Sequence, residues 1–424
     1  MKILFSHYFQ DDDNTPLNTV RILADELRAL GHEVVLHRSY GPARQVAERI
    51  GRARAEGRSL KRRLKGAVWF AKATARNLPM FFRDLRALRT VRPDIVLARE
   101  DAYCCSMPAA AAWRKIPLVT YADVPVAYEI RLYYAKLRWV PPYLVEAIEK
   151  LVIRLSRAVV ATSHPTVTKL AEYGLKTPMS VAPNGVFPER FAPLDEESRA
   201  RLRAEFGLTK RYVLGFQGQF AEFHGIDRLA AIMLKMAEVR DDVDWLLIGD
   251  GPRRAELEEA VRGRVNAVFA GRRPHAEMGP LLGLIDVSVV PHDFVAGIFY
   301  LQPLKILECA AAGCAVAAGS QGEIPWLLDD GRAGLLVDTP EPRAWVDAIN
   351  ALLDDPARMA SMRAAARRYI AEHFTWRQVA ARYDAVLRAV LDAEAGRDQP
   401  GRASAISVAE PPPAVPAAAA VDKS

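Results

Sequence analysis

Cysteine pairs with CxxC spacing and long apolar runs are both missing from this 424-residue sequence. The four cysteines show neither CxxC spacing nor neighbouring histidines, which is typical of small apolar side chains in a reducing compartment. No apolar run has the length of a membrane-spanning helix, and the strand-like residues 1–9 lead into Asp11, Asp12 and Asp13 rather than into the apolar core of a signal peptide. We therefore expect a cytoplasmic protein.

Half of the residues are hydrophobic, and the chain is longer than a single core usually serves, so two domains are expected. The formal net charge is +7, but residues 44–92 alone hold fifteen Lys and Arg against three acidic residues. The basic character therefore belongs to one surface segment rather than to the whole chain.

Strand-like and helical segments alternate on both sides of that segment. Residues 2–6 and 33–37 predict strands around an amphipathic helix at 19–30, and further β and α segments follow. This alternation predicts an α/β protein with two Rossmann-like domains, whose ligand crevices lie at the carboxyl ends of parallel strands. The expected units are an N-terminal domain over 1–190 with the basic helical insertion 44–92, a linker over 191–210, a C-terminal domain over 211–375, a helix over 376–395 that returns to the N-terminal domain, and a disordered Ala/Pro-rich tail over 396–424.

One stretch, residues 291–325, combines the end of a buried strand, a loop and a helix entrance. Pro303 suits the first position of a helix, good helix formers follow, and Gly313 ends it. The free N–H groups at such a start attract phosphate, and Lys305 and Glu308 share one face of the helix. Lys305 could meet a diphosphate while Glu308 accepts hydrogen bonds from two hydroxyls. For these two residues alone, an ordinary helix salt bridge is the simpler interpretation.

Several short motifs follow one another in a characteristic order. They are GHEV at 31–34, PNGV at 183–186, FQGQF at 216–220, FHGID at 223–227, LLIGDGP at 246–252, FAG at 269–271 and HFTW at 373–376. Together they resemble the family 4 retaining glycosyltransferases, which have the GT-B fold, and the resemblance covers most of residues 1–395. It implies transfer of a sugar from a UDP- or GDP-linked donor to a hydroxyl, with retention at the anomeric carbon and without a metal or other cofactor.

The sequence departs from that family at the donor site. Gln219 stands where the family usually has Arg, and His224 where it usually has Lys, so two cations expected at the diphosphate are absent. A subgroup with a His-Gly donor loop and a Pro-Leu-Lys helix start is similar to this chain, which implies that Lys305 supplies the missing charge. The family's two glutamates, eight residues apart, correspond to Tyr300 and Glu308, and the second would hold the nucleotide ribose.

The resemblance implies roles for particular residues. Asp123 matches the position of a His or Asn near the reacting carbon, although a turn or helix-cap role fits it about as well. The implied catalytic residues are Asp123, Lys305 and His224. The implied donor-binding residues are Gly218, Gln219, Gly249, Gly297, Ile298, Phe299, Tyr300, Leu304 and Glu308. The candidate acceptor-side residues are Asp12, Asp13, Arg99 and Glu100, for a glycan or lipid-linked acceptor in cell-envelope or exopolysaccharide synthesis.

Basic helices with aromatic residues among their Lys and Arg suit an anionic membrane surface or nucleic acid. Because many related enzymes act on lipid-linked acceptors, we expect peripheral membrane binding and no nucleic acid. Alternatively, part of this segment packs on the N-terminal sheet. The expected membrane contacts are Lys61, Arg62, Arg63, Lys65, Trp69, Phe70, Phe81 and Phe82. Two rival functions are a GT-B sugar-nucleotide epimerase or hydrolase, and a non-catalytic scaffold that binds a nucleotide-sugar.

Overall fold

The structure, a computed structural model, describes residues 1–8, 15–39, 71–72, 74–101, 104–128, 142–192, 194–292 and 300–397. Within these residues the chain forms two six-stranded sheets in which neighbouring strands are parallel. Parallel strands need crossover connections, and helices supply them in both halves. The predicted α/β architecture with two Rossmann-like sheets is confirmed.

The first sheet has the strand order β2-β1-β3-β4-β5-β6. Its elements are β1 (Lys2–His7), α1 (Thr15–Ala29), β2 (Glu33–Arg38), α2 (Asn77–Val91), β3 (Ile95–Arg99), α3 (Ser106–Trp113), β4 (Leu118–Ala122), α4 (Pro142–Leu155), β5 (Ala158–Ala161), α5 (His164–Ala171) and β6 (Met179–Val181). Successive side chains of a strand point to opposite faces, and here both faces are buried: Ile3 and Phe5 lie in one core and Leu4 in another.

The second sheet has the strand order β12-β11-β10-β7-β8-β9. Its elements are α6 (Glu196–Glu205), β7 (Tyr212–Gln217), α7 (Ile226–Val239), β8 (Val243–Ile248), α8 (Arg254–Val261), β9 (Ala267–Gly271), α9 (Met278–Leu282), β10 (Val287–Val290), α10 (Leu304–Ala311), β11 (Ala315–Gly319), α11 (Ile324–Leu327), β12 (Leu335–Val337), α12 (Pro342–Leu353), α13 (Pro356–His373) and α14 (Trp376–Arg397). The strand order switches direction between β1 and β3 in one sheet and between β7 and β10 in the other. Ligands of open α/β sheets bind in the crevice outside such switch points.

The chain passes between the two sheets twice, and the two crossings lie side by side. Val186 N donates to Phe374 O at 2.8 Å, and Trp376 N donates to Val186 O at 3.2 Å. A Cβ atom at Gly185 would lie only 2.7 Å from Trp376 N, so this approach requires a glycine. The PNGV motif at 183–186 therefore contains a close contact between the two crossings.

Helix α14 follows the second crossing and packs on the first sheet. Its Tyr383 and Leu387 are buried in the same core as Ile3 and Leu23, which belong to β1 and α1. The helix continues to Arg397, two residues beyond the expected end, and the rest of the predicted tail lies outside the described residues. The last helix thus covers one face of the N-terminal sheet.

Half of the expected linker over residues 191–210 is the regular helix α6. Asp195 caps the helix by accepting a backbone hydrogen bond at 2.8 Å. Arg199 donates to Gly283 O at 2.9 Å and to the Asp286 carboxylate at 2.8 Å. This helix was not predicted from the Pro-rich, charged sequence. Its hydrogen-bond partners Gly283 and Asp286 lie more than eighty residues further along the chain.

The described part of the basic insertion is mostly helix α2, which packs on the N-terminal sheet. Leu85 and Leu88 are buried in a core with Leu4, and buried Asp84 accepts from His37 Nε2 at 2.8 Å. No helix in the described ranges combines the length and the apolar character needed to cross a membrane. Residues 44–70 lie outside the described residues.

We expect Leu387→Ala to destabilise the protein by about 2–5 kcal/mol, because it leaves a cavity between α14 and the N-terminal sheet. The matched control is Arg388→Ala, which removes only an exposed ion pair with Asp384 and should cost less than about 1 kcal/mol. Thermal unfolding of both variants checks this, and equal midpoints would contradict the packing of α14 against that sheet.

Candidate active site

The candidate donor site lies at the switch point between β7 and β10. Gln217 ends β7 and Gly218 follows it, His292 comes two residues after β10, and α10 carries Lys305 and Glu308. The carboxyl ends of parallel strands meet at one edge of the sheet, which brings these residues together although they are up to 91 positions apart. The predicted stretch around α10 is therefore only one part of the site.

Two glycines keep the space next to α10 free of side chains. Gly218 has a φ of 136° and Gly249 a φ of 133°, conformations that other residues rarely adopt. A Cβ atom at Gly249 would lie 1.9 Å from Gly218 O, and one at Gly218 would lie 2.8 Å from Lys305 Nζ. Both predicted glycines thus permit close backbone packing beside the Lys305 amine.

The amine of Lys305 lies between His224 and an aromatic ring. Its Nζ is 3.0 Å from His224 Nδ1 and 4.7 Å from the centroid of the Phe216 ring. A charged amine can only donate, so His224 Nδ1 accepts this hydrogen bond. Burial lowers the pKa of Lys305 to about 7, and no carboxylate of the described residues pairs with it. A bound phosphate would supply the missing anion.

Two neutral histidines support this amine. His292 Nε2 lies 3.2 Å from His224 Nδ1, and the His292 carbonyl accepts from Arg228 Nη1 at 2.6 Å. Burial lowers the pKa of both histidines, and the charge of Lys305 lowers it further. His224 is therefore neutral near pH 7 and does not replace the family's lysine as a cation. It positions the amine of Lys305 instead.

Glu308 has partners other than Lys305. Its Oε2 accepts from Gln217 Nε2 at 2.6 Å, and its Oε1 lies 3.1 Å from His275 Nε2. The hydrogen bond to Glu308 raises the pKa of His275. The helix salt bridge considered for Lys305 and Glu308 is not formed, because the two side chains point to different partners. The carboxylate is fixed in orientation, with 19% of the Glu308 side chain exposed.

The other predicted donor residues fall into two groups. Gln219 is exposed directly after Gly218, and Leu304 is half-buried at the start of α10. The second group, Gly297, Ile298 and Phe299, lies outside the described residues.

The loop before α10 contacts the N-terminal domain. The Tyr300 ring lies 4.8 Å from the Tyr128 ring between centroids, and the Tyr300 carbonyl accepts from Ser163 Oγ at 2.8 Å. Gln302 Oε1 accepts from Asn184 N at 2.6 Å, and Gln302 Nε2 donates to Asn184 O at 3.1 Å. Tyr300, expected to bind the donor, therefore also joins the two domains.

The predicted acceptor-side residues meet at the carboxyl ends of β3 and β4. Arg99 Nη2 donates to Asp123 Oδ2 at 2.7 Å, and Thr162 Oγ1 donates to the Asp123 carbonyl at 2.6 Å. Buried Glu100 lies beside them, with its N–H donating to Tyr121 O at 2.9 Å. Asp123 is thus an ion-paired carboxylate, 36% exposed, rather than a helix cap. Asp12 and Asp13 lie outside the described residues.

An exposed apolar surface lies on α2 and α3. Leu78, Phe82 and Trp113 expose 66%, 62% and 74% of their area. Phe81, expected at the surface, is half-buried, because it packs on the core beneath α2 while its ring contacts Phe82 and Trp113. Exposed basic residues of the same region are Arg83, Arg86, Arg89, Arg114 and Lys115. We call these five residues with Leu78, Phe82 and Trp113 the aromatic-basic patch.

The other predicted membrane contacts lie outside the described residues. They are Lys61, Arg62, Arg63, Lys65, Trp69 and Phe70. Within the described residues, Asp84 is the one acidic side chain of α2, and it is buried. The exposed face of α2 therefore carries only positive charge.

Two family models match the chain, one for each sheet. The model described as Glycosyltransferase Family 4 matches residues 18–190, and the model described as Glycosyl transferases group 1 matches residues 211–355. Together they span three quarters of the chain. The chain belongs to this glycosyltransferase family. The family that the motifs predict is confirmed.

Two curated glycosyltransferases are similar to part of the chain. The 2-deoxystreptamine glucosyltransferase of Streptomyces kanamyceticus is 29% identical over 242 residues, which cover 54% of this chain and 60% of the relative. The GDP-mannose-dependent alpha-(1-6)-phosphatidylinositol monomannoside mannosyltransferase of Mycolicibacterium smegmatis is 29% identical over 215 residues, which cover 50% and 56%. The chain spans little more than half the length of these relatives.

A solved structure is similar over almost the whole fold. HepE of Anabaena, solved in complex with UDP, has a TM-score of 0.66 at 16% identity, covering 92% of this chain and 100% of that chain. At this identity the likeness concerns the fold alone. It confirms the predicted GT-B architecture.

Several residues of this candidate site are not among those predicted from the sequence. Gln217 and His292 lie at or just after strand ends at the switch point, so their positions relative to β7 and β10 were a usable signal. No sequence signal pointed to His275, because it lies 33 residues before Glu308 on a separate turn. Glu323 accepts from His164 N at 3.0 Å at the start of α5, and this contact joins the two domains across 159 positions of sequence.

The lowered pKa of Lys305 makes nucleoside diphosphate binding depend on pH. Below pH 7 the Lys305 amine is charged in the free protein, so its titration adds no pH dependence to the Kd for UDP. Above pH 7 the free amine is neutral, and a bound diphosphate restores its charge, so binding takes up a proton. We expect the Kd for UDP to rise by up to about tenfold per pH unit above pH 7.

Calorimetric titration of UDP at pH 8, in buffers with different protonation enthalpies, measures this proton uptake. Lys305→Met should bind UDP more weakly and take up no proton. Equal uptake by the wild type and the variant would show that another group titrates.

Proposed function

We propose that this protein transfers a sugar from a nucleotide-sugar to a hydroxyl of a glycan or lipid-linked acceptor, with retention at the anomeric carbon. The main support is the Lys305 amine, which His224 holds beside Gly218 without a carboxylate partner in the described part of the chain. It lies at the start of α10, where backbone N–H groups also attract phosphate. Such a site suits a leaving nucleoside diphosphate.

In the proposed reaction, the C-terminal domain binds the donor and stabilises its leaving group. As the bond to the diphosphate breaks, Lys305 and the N–H groups of α10 stabilise the negative charge on the leaving group. One turn further along, the Glu308 carboxylate is placed to accept hydrogen bonds from the ribose hydroxyls. Because Gln219 and His224 replace the family's usual Arg and Lys, Lys305 is the cation proposed to stabilise the leaving diphosphate.

Asp123 is the proposed acceptor-side residue. Arg99 holds one of its oxygens at 2.7 Å, which fixes the carboxylate plane. The other oxygen is placed to position the acceptor hydroxyl or to stabilise positive charge that develops on the transferred sugar. Arg99 supports this role by orientation, and Glu100 lines the same strand end.

The donor is proposed to be UDP- or GDP-linked. HepE was solved with UDP, and the Mycolicibacterium relative is named GDP-mannose-dependent. That relative is also named for a phosphatidylinositol monomannoside, which supports a lipid-linked acceptor and a role in envelope or exopolysaccharide synthesis. A cytoplasmic location on the inner face of the membrane follows as part of the same proposal.

The aromatic-basic patch supports peripheral membrane binding. Its Phe82 and Trp113 side chains can insert at the headgroup boundary, while the surrounding Arg and Lys meet anionic lipids. The patch lies on the N-terminal domain, which also carries the proposed acceptor residues.

Two variants separate donor binding from transfer. With UDP- and GDP-sugars and cell-envelope acceptors, Glu308→Gln should raise the KM for the donor about tenfold or more, because it removes a charged acceptor of hydrogen bonds. Asp123→Asn should lower kcat about 100-fold and leave the donor Kd unchanged. The control is Asp241→Asn, an exposed carboxylate of a surface loop. Release of nucleoside diphosphate measures turnover.

The outcomes of that assay also test the rival functions. Donor consumption without an acceptor would indicate an epimerase or hydrolase. Donor binding without turnover on any acceptor would indicate a scaffold. Full transfer by Asp123→Asn would reject its proposed role.

Flotation with vesicles of anionic lipid tests the membrane proposal. We expect binding at low salt that weakens at high salt, since surface charges are screened. Replacing both Phe82 and Trp113 with Ser should weaken binding about tenfold or more, because each loses buried apolar area. Val239→Ser, an exposed apolar residue of the C-terminal domain, is the control. A protein that fails to float at low salt contradicts the proposal.

A further inference from the structure

A cavity lies at the amino end of β10, away from the candidate active site at the carboxyl end of that strand. Its volume is about 230 Å³. Leu194, Ile285 and Ala312 form apolar walls, and three arginines complete the lining. These arginines are Arg199, Arg363 and Arg367.

Two of the arginines share a single carboxylate. Arg199 Nη2 and Arg363 Nη2 donate to Asp286 Oδ1 at 2.8 and 2.9 Å. The second oxygen of Asp286 accepts from Val213 N at 2.8 Å. Asp286 therefore already serves two guanidinium groups, and no contact among the described residues joins it to Arg367.

The third arginine adds uncompensated charge. Arg367 forms no hydrogen bond or ion pair with any described residue, and it lies four residues after Arg363 on one face of α13. Like charges at this spacing destabilise a helix. The Arg363 Nε atom is buried and also has no hydrogen-bond partner in the described part of the chain. Three guanidinium groups and one carboxylate leave an excess of two positive charges.

Residues just after α10 close the cavity, and they add no negative side chain beside the arginines. Gly313 has a φ of 85°, and a Cβ atom there would lie 3.8 Å from Arg367 Cδ. The carbonyls of Cys309 and Ala310 accept from the backbone N–H groups of Cys314 and Gly313 at 3.0 and 3.1 Å. These carbonyls have backbone partners, so they do not compensate the charge of the arginines.

We propose that this cavity binds a small phosphate anion. Guanidinium groups match phosphate oxygens with paired N–H donors. The volume is below the range of about 300–1,000 Å³ that is usual for larger ligands, which favours inorganic phosphate, pyrophosphate or a small phosphomonoester over a nucleotide. Arg367 supplies the donors, and Arg199 and Arg363 add charge.

This site is separate from the donor site and does not depend on the proposed sugar transfer. Lys305 lies in the first turn of α10, and the cavity lies beyond its last residue. Eight helical residues span roughly 12 Å, so phosphate at one end does not occupy the other. Variants can therefore remove either site alone.

Thermal unfolding during titration with inorganic phosphate, at constant ionic strength, tests the proposal. The protein carries Lys305→Met, which weakens phosphate binding at the candidate donor site by removing its cation. We expect a concentration-dependent rise in Tm, and Arg367→Gln should weaken phosphate binding about tenfold or more. Arg367→Gln breaks no contact among the described residues and should fold.

Arg368→Gln is the matched control, since Arg368 is the exposed neighbour on α13 and does not line the cavity. Phosphate stabilisation should survive in it. Stabilisation that is insensitive to Arg367→Gln, equally reduced in both variants, or absent from the Lys305→Met protein would overturn the proposal. The same pair of variants in the wild-type background keeps the comparison valid if Lys305→Met lowers stability. A parallel titration with glycerol 3-phosphate distinguishes free phosphate from a phosphomonoester.

Discussion

The amine of Lys305, taken out of water without a carboxylate partner among the described residues, is the constraint on which the donor site depends. Burial disfavours its charge and lowers its pKa to about 7. The surrounding residues keep it available: Gly218 leaves room above it, Phe216 presents its ring, and His224 accepts its hydrogen bond. A carboxylate at this point would stabilise the free protein but would compete with phosphate. The amine is thus arranged for an anion that arrives from solution.

The same helix entrance also links the two domains. Tyr300 and Gln302 lie directly before α10, yet their partners are Tyr128, Ser163 and Asn184 of the N-terminal half. A change in the relative position of the two sheets would therefore act on the loop that leads to Lys305. These few polar and aromatic contacts connect the candidate donor site with the N-terminal domain. This is the arrangement expected where a reaction needs groups from two domains at once.

The C-terminal domain shows two contrasting uses of arginine. Asp286 fixes Arg199 and Arg363 in one direction, and this shared ion pair attaches α6 and α13 to the start of β10. Arg367, on the same face of α13, has no such partner among the described residues. Arg199 and Arg363 stabilise the fold through their ion pairs with Asp286. Arg367 forms no such ion pair among the described residues. That difference separates a structural contact from a candidate anion site.

Sequence alone determined the local features of this protein: the alternation of strands and helices, the start of α10 next to Pro303, and the glycines that follow β7 and β8. These depend on residues close together in the chain, so periodicity and motif order were sufficient. Only the tertiary structure decided that Glu308 pairs with Gln217 and His275 instead of Lys305, that His292 supports His224, and that residues 196–205 form a helix bound to β10. The physical reason is that hydrogen bonds and burial depend on which strand ends and helices become neighbours. Those neighbours lie from about thirty to ninety residues apart, beyond the reach of any local pattern.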